Sequence, residues 1–142
     1  MRVKVISLPD DWHEVRFKLP LNWVSANAAG NVFGGYQASL ADPIAAIGCL
    51  HLFPGYRVAT KKLEIEFLRV GNSDLTLRFD FSEDMRNLIR HELDTRQRST
   101  PCFEMTYVRE DGQVCTRIRN TVAIRPKGYV SHLEGGETFD ED

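Results

Sequence analysis

The sequence lacks any segment suited to entering or crossing a membrane. Its longest apolar stretch, Ile44 to Phe53, contains Gly48 and His51 and is too short to span a bilayer. Residues 1–10 contain no continuous apolar core of a secretory signal. We therefore expect a soluble protein with no membrane partner.

Cysteine and histidine are scarce and scattered along the chain. The three cysteines form no CxxC pair and have no histidine at metal-ligand spacing, which argues against a disulfide framework and a zinc site. We expect no metal and no cofactor. A reducing cytoplasm is the simplest location for such a chain.

A surplus of positive charge is also absent. Lys and Arg number 18 against 20 Asp and Glu, so no overall basic field indicates a nucleic-acid partner. Thirteen of the 18 cations are Arg, whose planar guanidinium suits phosphate and carboxylate groups. Local anion sites are therefore still compatible with the composition.

The chain has enough apolar residues for one domain with its own core. Of its 142 residues, 42% are hydrophobic and 27% are charged, which excludes disordered and fibrous proteins. Only the C-terminal end departs from this composition, since it is rich in acidic residues and poor in apolar ones. We interpret residues 131–142 as a flexible tail behind a single domain of residues 1–130.

Five segments alternate apolar and polar residues, the pattern of antiparallel strands with one buried and one wet face. They are Val15–Leu19, Leu63–Phe67, Leu75–Phe81, Phe103–Tyr107 and Val114–Ile124. Gly112 predicts a hairpin turn between the last two strands. Between the third and fourth, Ser82–Leu93 has apolar residues at helical spacing behind a Ser82 N-cap, which predicts a short amphipathic helix.

A different pattern begins at Gly34. From there to Phe53 the chain is apolar almost all round and rich in small residues, which predicts a helix buried on every side. One sheet covers only one side of such a helix, so a second copy of the chain is the simplest cover for the rest. A five-stranded antiparallel sheet around a long central helix is an α+β fold of the hotdog type, and we expect a homodimer or a dimer of dimers.

The residues around the start of this helix carry a family resemblance. They are Asn27, Phe33-Gly34-Gly35, Asp42 and the later run Glu64-Ile-Glu-Phe-Leu-Arg69. In that order they resemble the phenylacetyl-CoA thioesterase-like branch of the hotdog superfamily, which has His where this chain has Phe33. The Phe-Gly-Gly variant is similar to a less characterised thioesterase-like branch. The resemblance covers residues 12–126 and implies hydrolysis of an acyl-CoA substrate.

Thioester hydrolysis needs hydrogen-bond donors for the developing oxyanion and a carboxylate that activates water or attacks directly. Gly34 and Gly35 stand at the predicted helix start, where the first N–H groups have no intrahelical acceptor. Lacking Cβ atoms, they also let a carbonyl come close. We interpret them as oxyanion donors, the alternative being a tight turn packed under the sheet.

Asp42 is the candidate carboxylate, because an unpaired charge in so apolar a segment is costly without a partner or a function. It lies about 10.5 Å from Gly35 along a helix, too far for both to reach one thioester carbon. The active site therefore requires Asp42 of one subunit to face the glycines of another. Pro43 leaves two alternatives open: a kink that aims the acid, or an Asp42 that caps a second half-helix.

Five further residues complete the candidate set. Asn27 orients water or the loop backbone, or only makes its own turn. Glu64 is a helper for the acid, or a solvated or dimer-facing carboxylate. Phe33 and Tyr36 line an acyl pocket or pack in the core. Arg69 is a candidate contact for CoA phosphates.

The leading hypothesis is a metal-free acyl-CoA thioesterase. A non-catalytic acyl-CoA-binding or lipid-binding protein is the first alternative, because Phe33 replaces the histidine of the motif and Pro43 adjoins the acid. A structural dimer without a small ligand is the second.

Overall fold

A computed structural model of the chain describes residues 2–128, so the predicted tail, residues 131–142, lies outside them. The fold is α+β, as predicted. In chain order its elements are β1 (Lys4–Ser7), β2 (Val15–Leu19), α1 (Gly34–Leu52), β3 (Tyr56–Phe67), β4 (Leu75–Phe79), α2 (Glu83–Arg96), β5 (Cys102–Arg109) and β6 (Val114–Pro126).

The strands form one antiparallel sheet in the order β1-β2-β4-β5-β6-β3. The prediction of five strands is wrong by one. In β1 the adjacent apolar residues Val5 and Ile6 are both exposed, so this strand has no alternation to detect. β3 also begins earlier than predicted, at Tyr56, because a register shift between Thr60 and Lys62 interrupts its pattern.

Two local predictions are confirmed. Ser82 caps α2, since its Oγ accepts a hydrogen bond from the Met85 amide at 3.1 Å. The turn between β5 and β6 contains Gly112 at φ 85°, and the Gly112 amide donates to the Arg109 carbonyl at 2.9 Å. The start of α2 and the hairpin turn were therefore predictable from capping and turn chemistry.

Helix α1 packs on the inner face of the sheet, mainly over β3 and β6. Its buried face includes Leu40, Ala41 and Ile44, which join the hydrophobic core with residues of β4 to β6. The opposite face is open, with Ile47 and Leu50 each 48% exposed. The prediction of a helix buried on every side therefore holds for only one face within a single chain.

Helix α1 also continues unbroken through Pro43. Asp42 therefore does not cap a second half-helix, and that alternative is wrong. Beneath this point, Asn120 of β6 is fully buried and its Nδ2 donates to the Asp42 carbonyl at 3.3 Å. The backbone at Asp42 is thus attached to the sheet even though the proline supplies no N–H group.

Candidate active site

The start of α1 presents two backbone donors without acceptors. Phe33 is the N-cap residue, and its carbonyl accepts from the amides of Tyr36 at 3.0 Å and Gln37 at 3.3 Å. Within residues 2–128, the amides of Gly34 and Gly35 make no such bond. Both N–H groups are therefore available to an external acceptor, as the sequence predicts.

A cavity of about 390 Å³ opens beside Gly34. Its walls come from the loop before α1, from the first turn of α1 and from the end of β3 with the residues after it. The lining residues are Asn27, Asn31, Val32, Gly34, Gln37, Phe67, Leu68, Arg69, Val70 and Gly71. The structure thus brings together three residues of the predicted set: Asn27, Gly34 and Arg69.

Two aromatic rings explain why both residues at the helix start are glycine. A Cβ at Gly34 would lie 2.8 Å from Cζ of Phe67, and a Cβ at Gly35 would lie 2.5 Å from Cε1 of Phe33. Either distance is too short for a real side chain without a shift of the ring. The missing side chains therefore make room for the protein's own rings, a packing role in line with the alternative of a tightly packed turn.

Phe33 and Tyr36 lie beside the cavity rather than in its lining. Their rings meet edge to face with centroids 6.1 Å apart, and Phe33 is 52% exposed. Within one chain neither ring therefore forms a wall of the cavity. Phe67, which was predicted only as a strand residue, forms part of the cavity wall instead.

Asp42 is exposed, and its carboxylate has no hydrogen-bond or ion-pair partner among residues 2–128. The expectation that it lies in an apolar interior is therefore wrong for a single chain. A spacing of seven residues is almost two helical turns, so Asp42 and Gly35 share one face of α1. Both residues are exposed on that face.

Asn27 organises the loop that leads into α1. Its Oδ1 accepts from the amides of Ala29 at 3.0 Å and Asn31 at 3.1 Å, and Gly30 has a φ of 80°. This is the turn-forming role, and it fixes one wall of the cavity. The side chain carbonyl is fully engaged by the loop.

Glu64 is not brought to this site. The neighbouring residues Leu63 and Ile65 point toward the core, whereas Glu64 is exposed and faces away, with Oε1 3.5 Å from Nζ of Lys62. Because side chains alternate along a strand, Glu64 lies on the face of the sheet opposite α1. The helper role is therefore corrected to that of a solvated carboxylate.

Arg69 stands at the edge of the cavity. Its Nη1 donates to the Val114 carbonyl at 2.7 Å, which fixes the guanidinium beside the hairpin between β5 and β6. A backbone hydrogen bond from Gln113 is the largest cause that lowers the pKa of Asp111, and the positive charges of Arg109 and Arg69 lower it further. Arg69 therefore places a positive charge at the cavity, and this charge also interacts with the nearby Asp111 carboxylate.

Gln37 is the site residue that sequence reasoning missed. It is 3% exposed, lines the cavity and makes hydrogen bonds to two strands and to the loop before α1. A signal was present, because Gln37 falls at helical spacing with Leu40, Ala41 and Ile44. A polar side chain in such a row is expected to be buried and hydrogen-bonded.

The described part of the chain gives little support for a cysteine nucleophile, a metal site or a membrane-spanning helix. Burial raises the pKa of Cys49 to about 12, so this thiol stays protonated at neutral pH and is a poor nucleophile. Residues 2–128 contain no group of His, Cys, Asp and Glu able to hold a metal ion. Over the same range, no helix has the length and apolar content needed to cross a membrane.

Comparison with solved structures shows the fold, whereas no protein-family model and no curated protein sequence matches the chain. A Pseudomonas aeruginosa protein of unknown function, called a "probable thioesterase", superposes with a TM-score of 0.77 at 17% identity, covering 87% of this chain and 83% of the other. A Staphylococcus aureus thioesterase gives 0.67 at 16% identity, covering 87% and 93%. A Streptococcus mutans protein bound to acetyl-CoA gives 0.65 at 18% identity, covering 89% and 91%.

These likenesses agree with the resemblance that the sequence shows around Gly34 and Gly35. The chain shares the hotdog-type fold of structures described as thioesterases. At identities of 14 to 18% for these neighbours, the likeness concerns the fold. Function has to be argued from the site itself.

Proposed function

We propose that this protein is an acyl-CoA thioesterase that acts as a homodimer, with Asp42 of one subunit working at the helix start of the other. The observation that carries the proposal is the open face of α1. That face presents two amides next to a cavity and, two turns further on, a carboxylate, none of which has a hydrogen-bond partner among residues 2–128. Donors and carboxylate are the two groups that thioester hydrolysis requires.

The dimer follows from two surfaces that a single chain leaves uncovered. One is the open face of α1, where Gly35, Ser39, Asp42 and Ala46 recur at helical spacing and allow close approach of another helix. The other is β3, a strand of 12 residues at the edge of the sheet, and residues 2–128 supply no strand on its outer side. Because α1 lies over β3, one antiparallel copy would cover both surfaces.

A two-fold axis near Ser39 also completes the chemistry. Gly35 and Asp42 lie on either side of that residue on one helix face, so an antiparallel partner helix places its Asp42 opposite Gly35. The separation of about 10.5 Å within one helix then no longer matters. Each dimer contains two equivalent sites.

In the hydrolytic step the thioester oxygen accepts hydrogen bonds from the Gly34 and Gly35 amides. Asp42 of the partner subunit takes a proton from water as the water oxygen attacks the carbonyl carbon. Collapse of the tetrahedral intermediate breaks the C–S bond, and the leaving thiolate receives the proton from Asp42. If Asp42 attacks the carbonyl carbon directly, the C–S bond breaks as a mixed anhydride of Asp42 and the acyl group forms, and the CoA thiolate takes a proton from solvent. Water then hydrolyses this anhydride, which releases the acid and restores the Asp42 carboxylate.

The similar structures support this assignment. The Streptococcus mutans protein holds acetyl-CoA, a ligand of the proposed class. The Staphylococcus aureus protein was crystallised with a substituted glutamine and with a substituted glutamate, which lie fifteen positions apart in that chain. Asn27 and Asp42, in the loop before α1 and in α1 of this chain, are also fifteen positions apart.

The second candidate function is binding of an acyl-CoA without turnover. The rings of Phe33 and Phe67 favour it, because they occupy the space over both glycines and present exposed apolar surface. A panel of short, long and aromatic acyl-CoAs separates the two functions. The proposal expects thiol release that Asp42→Asn abolishes, whereas calorimetric binding without thiol release would leave only the binding function.

A further inference from the structure

Gln37 is a polar residue on the buried face of α1, and all its polar atoms are hydrogen-bonded. Its Nε2 donates to the Val32 carbonyl at 3.4 Å, and its Oε1 accepts from the hydroxyl of Thr116. Its backbone carbonyl accepts from the hydroxyl of Tyr107 at 2.6 Å. Burial raises the pKa of Tyr107, which keeps this phenol protonated and able to donate.

These bonds connect the first turn of α1 to three other parts of the fold. Tyr107 belongs to β5 and Thr116 to β6, and the two are paired across the sheet. Val32 immediately precedes the N-cap residue, and its own amide donates to the Gly71 carbonyl at 2.8 Å. The loop and β6 therefore meet at the Gln37 side chain, and β5 bonds to the backbone carbonyl of the same residue.

Apart from the hydrogen bond between Asn120 and the Asp42 carbonyl further along the helix, the rest of the buried face of α1 gives little directional guidance. It consists of small and aliphatic residues, whose packing is favourable but tolerates small rotations and shifts of the helix. Hydrogen bonds in a buried site have strict requirements on distance and angle. A fully bonded Gln37 therefore fixes the rotation and the axial position of the helix start.

We infer that Gln37, together with Tyr107 and Thr116, is a positioning residue that holds the Gly34 and Gly35 amides at the cavity. Gln37 lies three residues after Gly34, within the first turn, so a change in its bonding moves the glycines directly. Its effect on turnover rests on the proposed thioesterase function. Its effect on the amides does not.

The test compares Gln37→Met, which keeps the length but none of the side-chain hydrogen bonds, with Thr116→Val, which removes only the hydroxyl donor. Thr121→Val, a half-buried position on the same strand, is the control. Two quantities are measured on the full chain: the amide resonances and hydrogen exchange of Gly34 and Gly35, and kcat and KM for the best acyl-CoA.

Both Gln37→Met and Thr116→Val should shift the two glycine amide resonances and speed their exchange, while Thr121→Val should leave them unchanged. In these two variants kcat should fall about 10- to 100-fold with KM nearly constant, because displacement of a catalytic group affects the transition state most. Unchanged glycine amides would overturn the inference, and so would a kcat equal to that of the control in a protein that hydrolyses acyl-CoA. Shifted amides in a protein that hydrolyses no thioester would uphold the positioning role and refute the proposed function instead.

Discussion

The two faces of α1 differ in what a single chain can explain. The buried face, with Ile44 at 4% exposure, is fully accounted for by packing on the sheet. The open face carries Ile47 at 48% exposure and Asp42, whose carboxylate has no partner within the described range 2–128. The buried face holds the domain together, whereas the open face is the one that, in the proposed function, a ligand and a second subunit cover.

Under the proposed function, the difference separates folding from turnover along most of this helix, with Gln37 on the buried face as the exception. Substitutions on the buried face should reduce stability, because apolar surface leaves water there when the chain folds. Substitutions on the open face should leave the subunit folded and affect association and turnover. The following predictions are arranged by the size of the expected effect.

The largest effect is expected from Asp42→Asn. Loss of a general base reduces kcat by about 10² to 10⁴-fold, and an exposed residue without a partner contributes little to stability. Assays of thiol release measure kcat, and a thermal melting curve measures stability. Glu64→Gln is the matched control, an exposed carboxylate on the other side of the sheet, and it should retain full activity. Equal activity of Asp42→Asn and this control would contradict the assignment.

Gly34 allows the amide to be tested apart from the side chain. Proline is well tolerated at the first helical position, and Phe33 has the extended ψ of 133° that a following proline prefers. Gly34→Pro removes the N–H group, whereas Gly34→Ala keeps it and adds the same Cβ contact with Phe67. We expect kcat of the proline variant to lie about 10² to 10³-fold below that of the alanine variant. Similar rates for the pair would exclude this amide as an oxyanion donor.

The pair Ile44→Ala and Ile47→Ala compares the two faces of α1 directly. Ile44→Ala should cost about 2–5 kcal/mol of unfolding free energy, because it leaves a cavity in the core. Ile47→Ala should change the unfolding free energy of the subunit much less but weaken the dimer. Urea unfolding and sedimentation at several protein concentrations separate these outcomes. If Ile47→Ala destabilised the subunit as strongly as Ile44→Ala, the open face would be part of the monomer's core.

A smaller effect is expected for the cavity wall. Phe67→Ala enlarges the cavity next to Gly34, so kcat/KM for bulky acyl groups should rise about tenfold relative to acetyl-CoA. Phe33→Ala is the matched control, since that ring does not line the cavity. An unchanged acyl preference in Phe67→Ala would place the acyl group elsewhere, and a change in Phe33→Ala would place it on the open face.

Local chemistry made most of the fold predictable. Alternation revealed five strands, Ser82 revealed the start of α2, and the run of small apolar residues after Gly34 revealed α1. β1 was missed because it is a four-residue edge strand in which the adjacent residues Val5 and Ile6 are both exposed, so apolar and polar residues do not alternate. Strand patterns therefore succeed where one face is buried, and β1 lacks such a face.

The site was predictable in part. Gly34, Asn27 and Arg69 meet at one cavity, but Glu64 lies on the opposite side of the sheet, a position that depends on the phase of the strand. The bonds of Gln37 could not be foreseen, because Thr116 lies far along the chain and only the sheet register brings it near. Long-range polar contacts depend on tertiary structure, which periodicity does not encode.

The central claim is that each active site combines the glycines of one subunit with Asp42 of the other, and subunit mixing tests it most directly. Inactive Asp42→Asn and inactive Gly34→Pro proteins are mixed under conditions that allow exchange of subunits. A mixed dimer then contains one site with both defects and one site with none. Random exchange should restore about one quarter of the wild-type activity. A mixture that exchanges subunits, as shown by sedimentation or mass spectrometry, and yet stays inactive would contradict a site shared between subunits.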